Sequence, residues 1–174
     1  MNTTASSLRA LAFGDLDREL SVTRKVLERL PEDRFDWKVH EKSMPLGHLA
    51  QHVVNLLTWS LDTIQKDDLD LTTIPPMAKS ASSRAALLQA FDQKSAAVRE
   101  AIEALDDAAL ARPWTCRMGE KVLATQPRAL ILRVWCLSHL IHHRAQLCVY
   151  LRLLNVPVPA VYFNSSDEPE WQFT

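Results

Sequence analysis

The run Ser138-His-Leu-Ile-His-His-Arg-Ala-Gln146 places two histidines four residues apart in the most apolar helical pattern of this 174-residue chain. The helix predicted around it begins near Pro127 and reaches about Leu154, before the stop signal Asn155-Val-Pro157. Residues four apart on a helix stack on one face, about 5–6 Å from each other. Polar side chains therefore occupy positions that a bundle normally fills with aliphatic ones. The predicted seam is Leu132, Cys136, His139, His143, Gln146, Tyr150 and Leu153.

Three further helical segments are predicted upstream of this helix. The first spans about residues 7–30 and ends before Pro31. The second follows Ser43-Met-Pro45, where Ser43 is a candidate N-cap, and it continues to about residue 65. The third spans about residues 83–105. The seam of the second helix places a histidine among apolar residues, in the order Leu49, His52, Leu56 and Trp59.

The segments between the helices predict one domain. Residues 66–81 are polar, contain Pro75-Pro76 and are typical of a long crossover loop rather than a domain boundary. Residues 114–124 are compatible with a small hairpin around Gly119, and equally with a structured loop. We expect a single domain over residues 1–174, with 155–174 as a C-terminal tail. Four aromatic residues predict that the tail packs onto the body or a partner, namely Tyr162, Phe163, Trp171 and Phe173.

The composition is that of a soluble globular protein, with 47% hydrophobic and 24% charged residues and a formal net charge of -1. Without a basic excess or an aromatic-basic pattern, nucleic acid is not an expected partner. The first residues show no signal peptide, and the longest mostly apolar stretch, 129–141, is too short to span a bilayer. We therefore expect a cytoplasmic protein with no membrane partner.

The numbers of cysteines and glycines further limit the kinds of protein that fit this sequence. The three cysteines, Cys116, Cys136 and Cys148, are an odd and widely spaced set, so reduced thiols are expected rather than a disulfide framework. Only three glycines occur, which disfavours phosphate-cradling loops and β-rich architectures with many tight turns. The composition favours a helical protein.

Three histidines, His52, His139 and His143, are predicted on facing seams of the second and fourth helices. Because an unpaired buried polar group costs roughly 1–3 kcal/mol, each imidazole needs a partner. One divalent ion satisfies all three, whereas separate partners must otherwise be found for each. His142 is rotated away from the pair and His48 lies off the seam, so both are candidates for the surroundings of the site rather than for ligation.

Acidic residues are absent where a carboxylate site would need them. No Asp or Glu occurs between Lys42 and Leu61 or between Lys121 and Ser166, so a di-iron site with inward glutamates is not expected. Three neutral imidazoles leave the charge of the ion uncompensated and a coordination position open, as in catalytic zinc sites. Cys136 lies one turn before His139 and is an alternative ligand, although core filling is the better interpretation.

Four stretches carry a resemblance to a known family. They are Leu46-Gly-His-Leu-Ala-Gln-His52, His139-Leu-Ile-His-His-Arg-Ala-Gln146, Tyr150-Leu-Arg-Leu-Leu-Asn-Val-Pro-Val-Pro159 and Ser166-Asp-Glu168. On these the chain resembles, over essentially its whole length, the DinB-like/YfiT-like superfamily. The resemblance implies an all-α fold, an antiparallel four-helix bundle with a long crossover connection, and frequent homodimers. It also implies a site for nickel, zinc or a similar divalent ion, with His52, His139 and His143 as ligands.

The sequence departs from the family pattern at two positions. Ala145 stands where the family commonly has Gly, and Asn155 stands where Gly often follows the fourth helix. Neither is a ligand position, and Asn tolerates a left-handed helix C-cap better than most residues. The predicted metal site is therefore unaffected.

The resemblance does not fix the reaction, because relatives include thiol-dependent S-transferases and members without known activity. The first hypothesis is a metal-dependent enzyme, a transferase or hydrolase, in which the ion activates a small-molecule thiol. Arg144 is a candidate for steering an anionic thiol, with an ion-paired surface role as the alternative. Gln146 is a candidate for orienting a water or a ligand imidazole, with core hydrogen bonding as the alternative.

The second hypothesis is a non-catalytic metal-binding bundle of the stress response that acts as a homodimer. A structural site would be closed by a fourth protein ligand, which Asp15 or Glu19 on the first helix is placed to supply. An enzyme needs an open position and a cleft beside the ion. Access to the ion therefore distinguishes the two hypotheses.

Overall fold

The computed structural model describes residues 7–74 and 80–170, and there the chain is mostly helical with a small three-stranded sheet. Four longer helices carry most of the core: α2 is Leu16–Glu28, α3 is Leu46–Gln65, α4 is Arg84–Glu103 and α7 is His139–Leu153. Shorter helices are α1 at Leu8–Phe13, α5 at Asp107–Ala111 and α6 at Arg128–Ile131. The 3-10 turns are Glu32–Arg34 and Leu71–Thr73.

The core lies between the four longer helices. Helix α3 packs against α4 and α7, and α2 packs against the same two partners. Leu49 and Leu56 of the seam predicted for α3 are buried, and their removal from water helps to offset the conformational entropy lost on folding. Ser83 caps α4, since its hydroxyl accepts the N–H of Ala86. Fully buried members of this core include Leu27, Leu49, Val53, Leu87, Phe91 and Leu147.

A small sheet corrects the prediction of an all-α protein. Strands β2, Pro113–Met118, and β3, Lys121–Pro127, form the antiparallel hairpin that was one of the two alternatives for this segment. Gly119 takes the turn with φ 58°, a conformation that costs glycine little. Strand β1, Asp68–Asp70, adds to β2 in parallel and was not predicted, because three residues are too few to show alternation.

The predicted first and second helices need two corrections at their ends. The first is interrupted between α1 and α2 at Gly14, where an added Cβ would lie 2.7 Å from the carbonyl oxygen of Ala10. The periodicity of the apolar residues continues across this break and therefore conceals it. The second helix begins at Leu46 with Pro45 as the capping residue, so Ser43 lies too early in the chain to cap it.

The fourth helical run is continuous but not uniform. Between α6 and α7 the chain forms a π-helical segment, Leu132–Ser138. Leu153, predicted on the inward seam, is 56% exposed. At 3.6 residues per turn, a residue ten positions after His143 is rotated about 80° from it, whereas Leu154 returns to within about 20°. Leu154 accordingly packs against the core in its place.

The segment after α7 is tied to the helices by its acidic residues. Asn155 closes the helix with φ 56°, the left-handed cap expected at this position. Asp167 pairs with Arg152 and accepts the N–H of Val158, while Glu168 pairs with Arg29 and accepts the N–H of Ala160. Tyr162 contacts the body as predicted, and the predicted roles of Trp171 and Phe173 fall outside the described residues.

No helix in the described ranges combines the length and the apolar content needed to cross a membrane. Cys116, Cys136 and Cys148 are free thiols, as the sequence predicted.

Candidate metal centre

The structure brings His52, His139 and His143 together between α3 and α7. One ring nitrogen from each histidine lies within 4.8 Å of the others. The ring centroids of His52 and His143 are 4.6 Å apart, and those of His52 and His139 are 5.2 Å apart. Because α3 packs directly against α7, a histidine in the middle of one helix faces a pair on the other. The predicted facing seams are therefore observed.

Hydrogen-bond acceptors lie beside Nδ1 of both histidines of the α7 pair. Nδ1 of His143 lies 2.7 Å from Oε1 of Gln146, and Nδ1 of His139 lies 3.3 Å from the carbonyl oxygen of Trp135. A carbonyl oxygen can only accept, so these contacts suit the tautomers in which each Nδ1 carries the proton. In those tautomers both Nε2 atoms carry lone pairs, and these atoms lie 2.8 Å apart. A metal ion or a proton between the two nitrogens satisfies such a pair.

The π-helical segment supplies the acceptor for His139. In a regular α-helix the main-chain N–H of this residue would bond to the carbonyl of Trp135. Here it donates to the carbonyl of Cys136 instead, which leaves the Trp135 carbonyl able to accept from the imidazole. Sequence reasoning missed this contact, because nothing in the residue pattern signals a π-helical turn.

Burial keeps the three imidazoles neutral near pH 7. Desolvation, followed by the neighbouring imidazoles His143 and His139, lowers the pKa of His52 to about 4. Desolvation is also the largest cause that lowers the pKa of His139 and of His143. Neutral imidazole is the form that binds metal ions. The cluster therefore offers three unprotonated nitrogen donors.

The other two histidines of these motifs do not join the cluster. His142 is exposed, and its ring centroid lies 4.9 Å from that of His143, one residue further along α7. His48 is half-buried on α3, one turn before His52. Neither belongs to the metal-compatible group, which agrees with their predicted positions off the seams. Their place beside the site remains a prediction.

Arg144 does not face the cluster, and its predicted role toward an anionic thiol is wrong. It lies one residue beyond His143 and points to α2, where its guanidinium is 2.7 Å from the Glu19 carboxylate, with both side chains 2% exposed. The same guanidinium donates to the hydroxyl of Tyr162 at 2.8 Å and to that of Thr23 at 3.3 Å. This side chain is therefore part of the core and cannot meet a substrate.

The acidic residues considered as a fourth ligand are used elsewhere. Glu19 holds Arg144, and Asp15 lies 2.6 Å from Arg133. Within the described ranges 7–74 and 80–170, the metal-compatible group contains histidines only. The cluster thus has three protein donors and no carboxylate to close it.

Cys136 is a core residue, as the better of its two interpretations predicted. Its side chain is 4% exposed, and desolvation raises the pKa of its thiol to about 11 despite hydrogen bonds with Ser60 and Thr63. A thiol with so high a pKa is a poor metal ligand near neutrality, since the thiolate is the binding form.

Comparison with known proteins gives a family and two similar folds. The family model described as the DinB superfamily matches residues 15–147. A crystal structure of a DinB-like protein from Bacillus cereus ATCC 10987 is similar with a TM-score of 0.69 and 20% identity, covering 87% of this chain and 95% of that one. A DinB-like protein from Bacillus subtilis gives 0.66 and 19%, covering 87% and 97%. No curated protein matches the sequence significantly.

Proposed function

This chain belongs to the DinB superfamily, and we propose that it is a metal-dependent enzyme whose ion is held by His52, His139 and His143. Within that proposal the ion is divalent, with nickel or zinc the best candidates, and the reaction is a transfer that uses a small-molecule thiol. The related structures, at 20% and 19% identity, support the fold but carry no reaction to this chain.

The observation that carries the metal site is the convergence of one ring nitrogen from each of His52, His139 and His143 within 4.8 Å. When Gln146 and the Trp135 carbonyl accept the Nδ1 protons, both Nε2 atoms on α7 hold lone pairs. A shared proton is disfavoured by burial, which lowers the pKa of both rings. Tetrahedral zinc with Zn–N bonds of about 2.0–2.1 Å would separate its donors by about 3.4 Å, so the two Nε2 atoms, 2.8 Å apart, would move apart by about 0.6 Å to hold it. The donor set therefore suits one ion.

The open coordination position supports catalysis over a structural role. Structural zinc sites have four protein ligands, whereas catalytic sites have three and a free position. The described part of the chain places no fourth donor at this cluster. A divalent ion in such a site lowers the pKa of a bound thiol or water and makes it a nucleophile near neutral pH. The histidines hold that ion, and Gln146 fixes the ring of His143.

The remaining parts of the proposal concern assembly. The ring of contacts among α2, α4, α3 and α7 supports a four-helix bundle. Its antiparallel arrangement and a long crossover between α3 and α4 are parts of the proposal that follow from the family resemblance. We include a homodimer, which the family resemblance implies, and a cytoplasmic location, which was expected from the sequence, in the same proposal. The single-domain organisation over residues 1–174 also belongs to it.

The experiment is elemental analysis of protein purified without a histidine tag. Wild type is expected to hold about one equivalent of nickel or zinc, and His52→Ala, His139→Ala and His143→Ala are each expected to lose it. His48→Ala and His142→Ala are the matched controls and should keep it. Protein that is metal-free and cannot be reloaded with either ion would contradict the proposal.

A second measurement separates the enzyme from a non-catalytic metal bundle. Metal-loaded wild type is tested for consumption of bacillithiol, mycothiol and glutathione with electrophilic acceptors. Turnover that is lost in His52→Ala supports the enzyme. Full metal occupancy without consumption of any of the three thiols would favour a bundle that the metal only stabilises.

A further inference from the structure

A cavity of about 580 Å³ lies directly beside the histidine cluster. Its walls come from α3, from the sheet and from the helical run that carries the π-helical segment. His139 belongs both to this cavity and to the cluster, so the two are continuous. A volume between about 300 and 1,000 Å³ is typical of sites for small organic molecules.

The chemistry of the cavity walls is apolar and aromatic. Three tryptophans line it, Trp59 from α3, Trp114 from β2 and Trp135 from the π-helical segment. Trp114 and Trp135 meet edge to face with ring centroids 6.3 Å apart. Among the described residues that line it there is no Asp, Glu, Lys or Arg. A charged ligand would therefore lose its hydration here without gaining an oppositely charged side chain among the lining residues.

Most polar side chains of the cavity lie near the start of α7. Ser138 directly precedes α7, His139 and His142 lie in its first turn, and Thr63 on α3 is a further polar lining residue. Leu69 and Leu71, from the segment around β1, contribute aliphatic side chains. A ligand in the cavity would thus place an apolar part among the tryptophans and a polar part toward His139.

We propose that this cavity binds the organic substrate of the enzyme, and that this substrate is a neutral, mainly apolar molecule with an aromatic or similarly bulky group. This inference rests on the proposed function, because it makes the cavity the place from which the reacting atom meets the ion. The small-molecule thiol is polar and charged, so the apolar walls of this cavity do not suit it. The cavity selects the other reactant by excluding charge.

The test uses N-phenyl-1-naphthylamine, a neutral aromatic probe that fluoresces in apolar sites, and its anionic relative 8-anilinonaphthalene-1-sulfonate. Wild type should bind one equivalent of the neutral probe, with energy transfer from tryptophan, and should bind the anion at least 10-fold more weakly. Absence of saturable binding, or tighter binding of the anion, would overturn the inference.

Matched variants assign the probe to the cavity. Val134 lines the cavity and is 46% exposed, whereas Val149 is 56% exposed on the same helical run and is not among the lining residues. Val134→Trp should weaken binding of the neutral probe at least 10-fold, and Val149→Trp should leave it unchanged. If Val134→Trp does not fold, Leu123→Trp on β3 replaces it, since Leu123 is a second exposed lining residue. Equal binding by both members of the pair counts against the cavity.

The same variants also test whether a second copy of the chain covers the cavity. Size-exclusion chromatography with light scattering reports the mass of each protein. If Val134→Trp converts a dimer to a monomer and Val149→Trp does not, a second copy of the chain covers this face and the inference fails.

Loss of probe binding and loss of metal binding can be told apart. His52→Ala is expected to lose the metal and keep the neutral probe, because His52 is not among the residues lining the cavity. Wild type that binds metal but not the neutral probe would overturn the proposed substrate class and leave the proposed function intact. Wild type that binds the probe but no metal would overturn the proposed function, and with it the place of the cavity in catalysis.

Copper(II) bound at the histidine cluster should quench the fluorescence of the bound probe in wild type and not in His52→Ala. Absence of quenching in both proteins would show that the cavity does not adjoin the ion.

Discussion

Nε2 of His143 faces Nε2 of His139 at 2.8 Å, while Oε1 of Gln146 holds the opposite nitrogen of the His143 ring at 2.7 Å. The glutamine therefore decides which nitrogen of His143 is available. Without it the ring can turn, or take the other tautomer and lose its donor toward the cluster. Such outer contacts affect metal sites strongly even though they never touch the ion.

Replacement of Gln146 is expected to weaken metal binding without removing it. Gln146→Ala should lower the affinity for zinc by roughly 10–100-fold, because the Nδ1 proton of His143 loses its acceptor. Gln146→Glu is the matched control and should bind at least as well as wild type, since a carboxylate accepts the same hydrogen bond. Competition with a chromogenic chelator measures both. Wild-type affinity in Gln146→Ala would show that the ring is fixed by packing alone.

The buried pair of Glu19 and Arg144 is expected to dominate the stability of the contact between α2 and α7. Glu19→Ala leaves a guanidinium inside the core with only hydroxyl and carbonyl partners, which costs roughly 3–5 kcal/mol of unfolding free energy. Asp17→Ala on the same helix is the control, because that carboxylate is 81% exposed in its pair with Arg99 and little change is expected. Urea denaturation gives both values, and similar losses in the two variants would contradict the buried pair.

The metal-compatible cluster was predictable from sequence because helix spacing is a rigid rule. The four-residue spacing of His139 and His143 puts them on one face, and His52 on a second seam completed the set. Arg144 was not predictable in the same way. Its position next to a seam residue is compatible with solvent or core, and only the approach of α2 with Glu19 decides between them.

The departures from the predicted fold have a similar origin in long-range contacts. Strand β1 is too short to show a pattern of its own and forms because β2 offers an open edge. The π-helical segment adds no signature to the sequence, yet it frees the carbonyl that orients His139. The hairpin was recognised as an alternative because Gly119 marks its turn. Local rules thus account for spacing and turns, while tertiary contacts decide the rest.

Asp70 is expected to make stability depend on acidity below pH 4. Hydrogen bonds from the main-chain N–H of Gly119 and then of Thr72 lower the pKa of this carboxyl from 3.8 to about 2. A lowered pKa in the folded state means that the stabilisation is complete above the unfolded value and is lost as the pH falls toward 2. Asp70→Asn cannot titrate, so its stability should fall less than that of wild type between pH 4 and 2.

Urea denaturation at pH 6, 4, 3 and 2 measures this difference for wild type and Asp70→Asn. The values at pH 6 serve as the reference for each protein, so that any loss of hydrogen bonding in the variant cancels. A steeper loss below pH 4 in Asp70→Asn than in wild type would show that the turn is not held by the charged form.

Asn155 is expected to respond to substitution according to its backbone conformation. It closes α7 with φ 56°, a region that costs residues with a Cβ roughly 1–2 kcal/mol and that Asn and Gly tolerate best. Asn155→Ala should therefore lower the unfolding free energy by about 1 kcal/mol, which lowers the melting temperature by about 2–4 °C in a chain of this size. Asn155→Gly, the residue common in the family, separates conformation from side-chain loss and should stay within about 0.5 kcal/mol of wild type. Differential scanning calorimetry measures the series, and an alanine variant as stable as wild type would contradict the cost assigned to the left-handed backbone at Asn155.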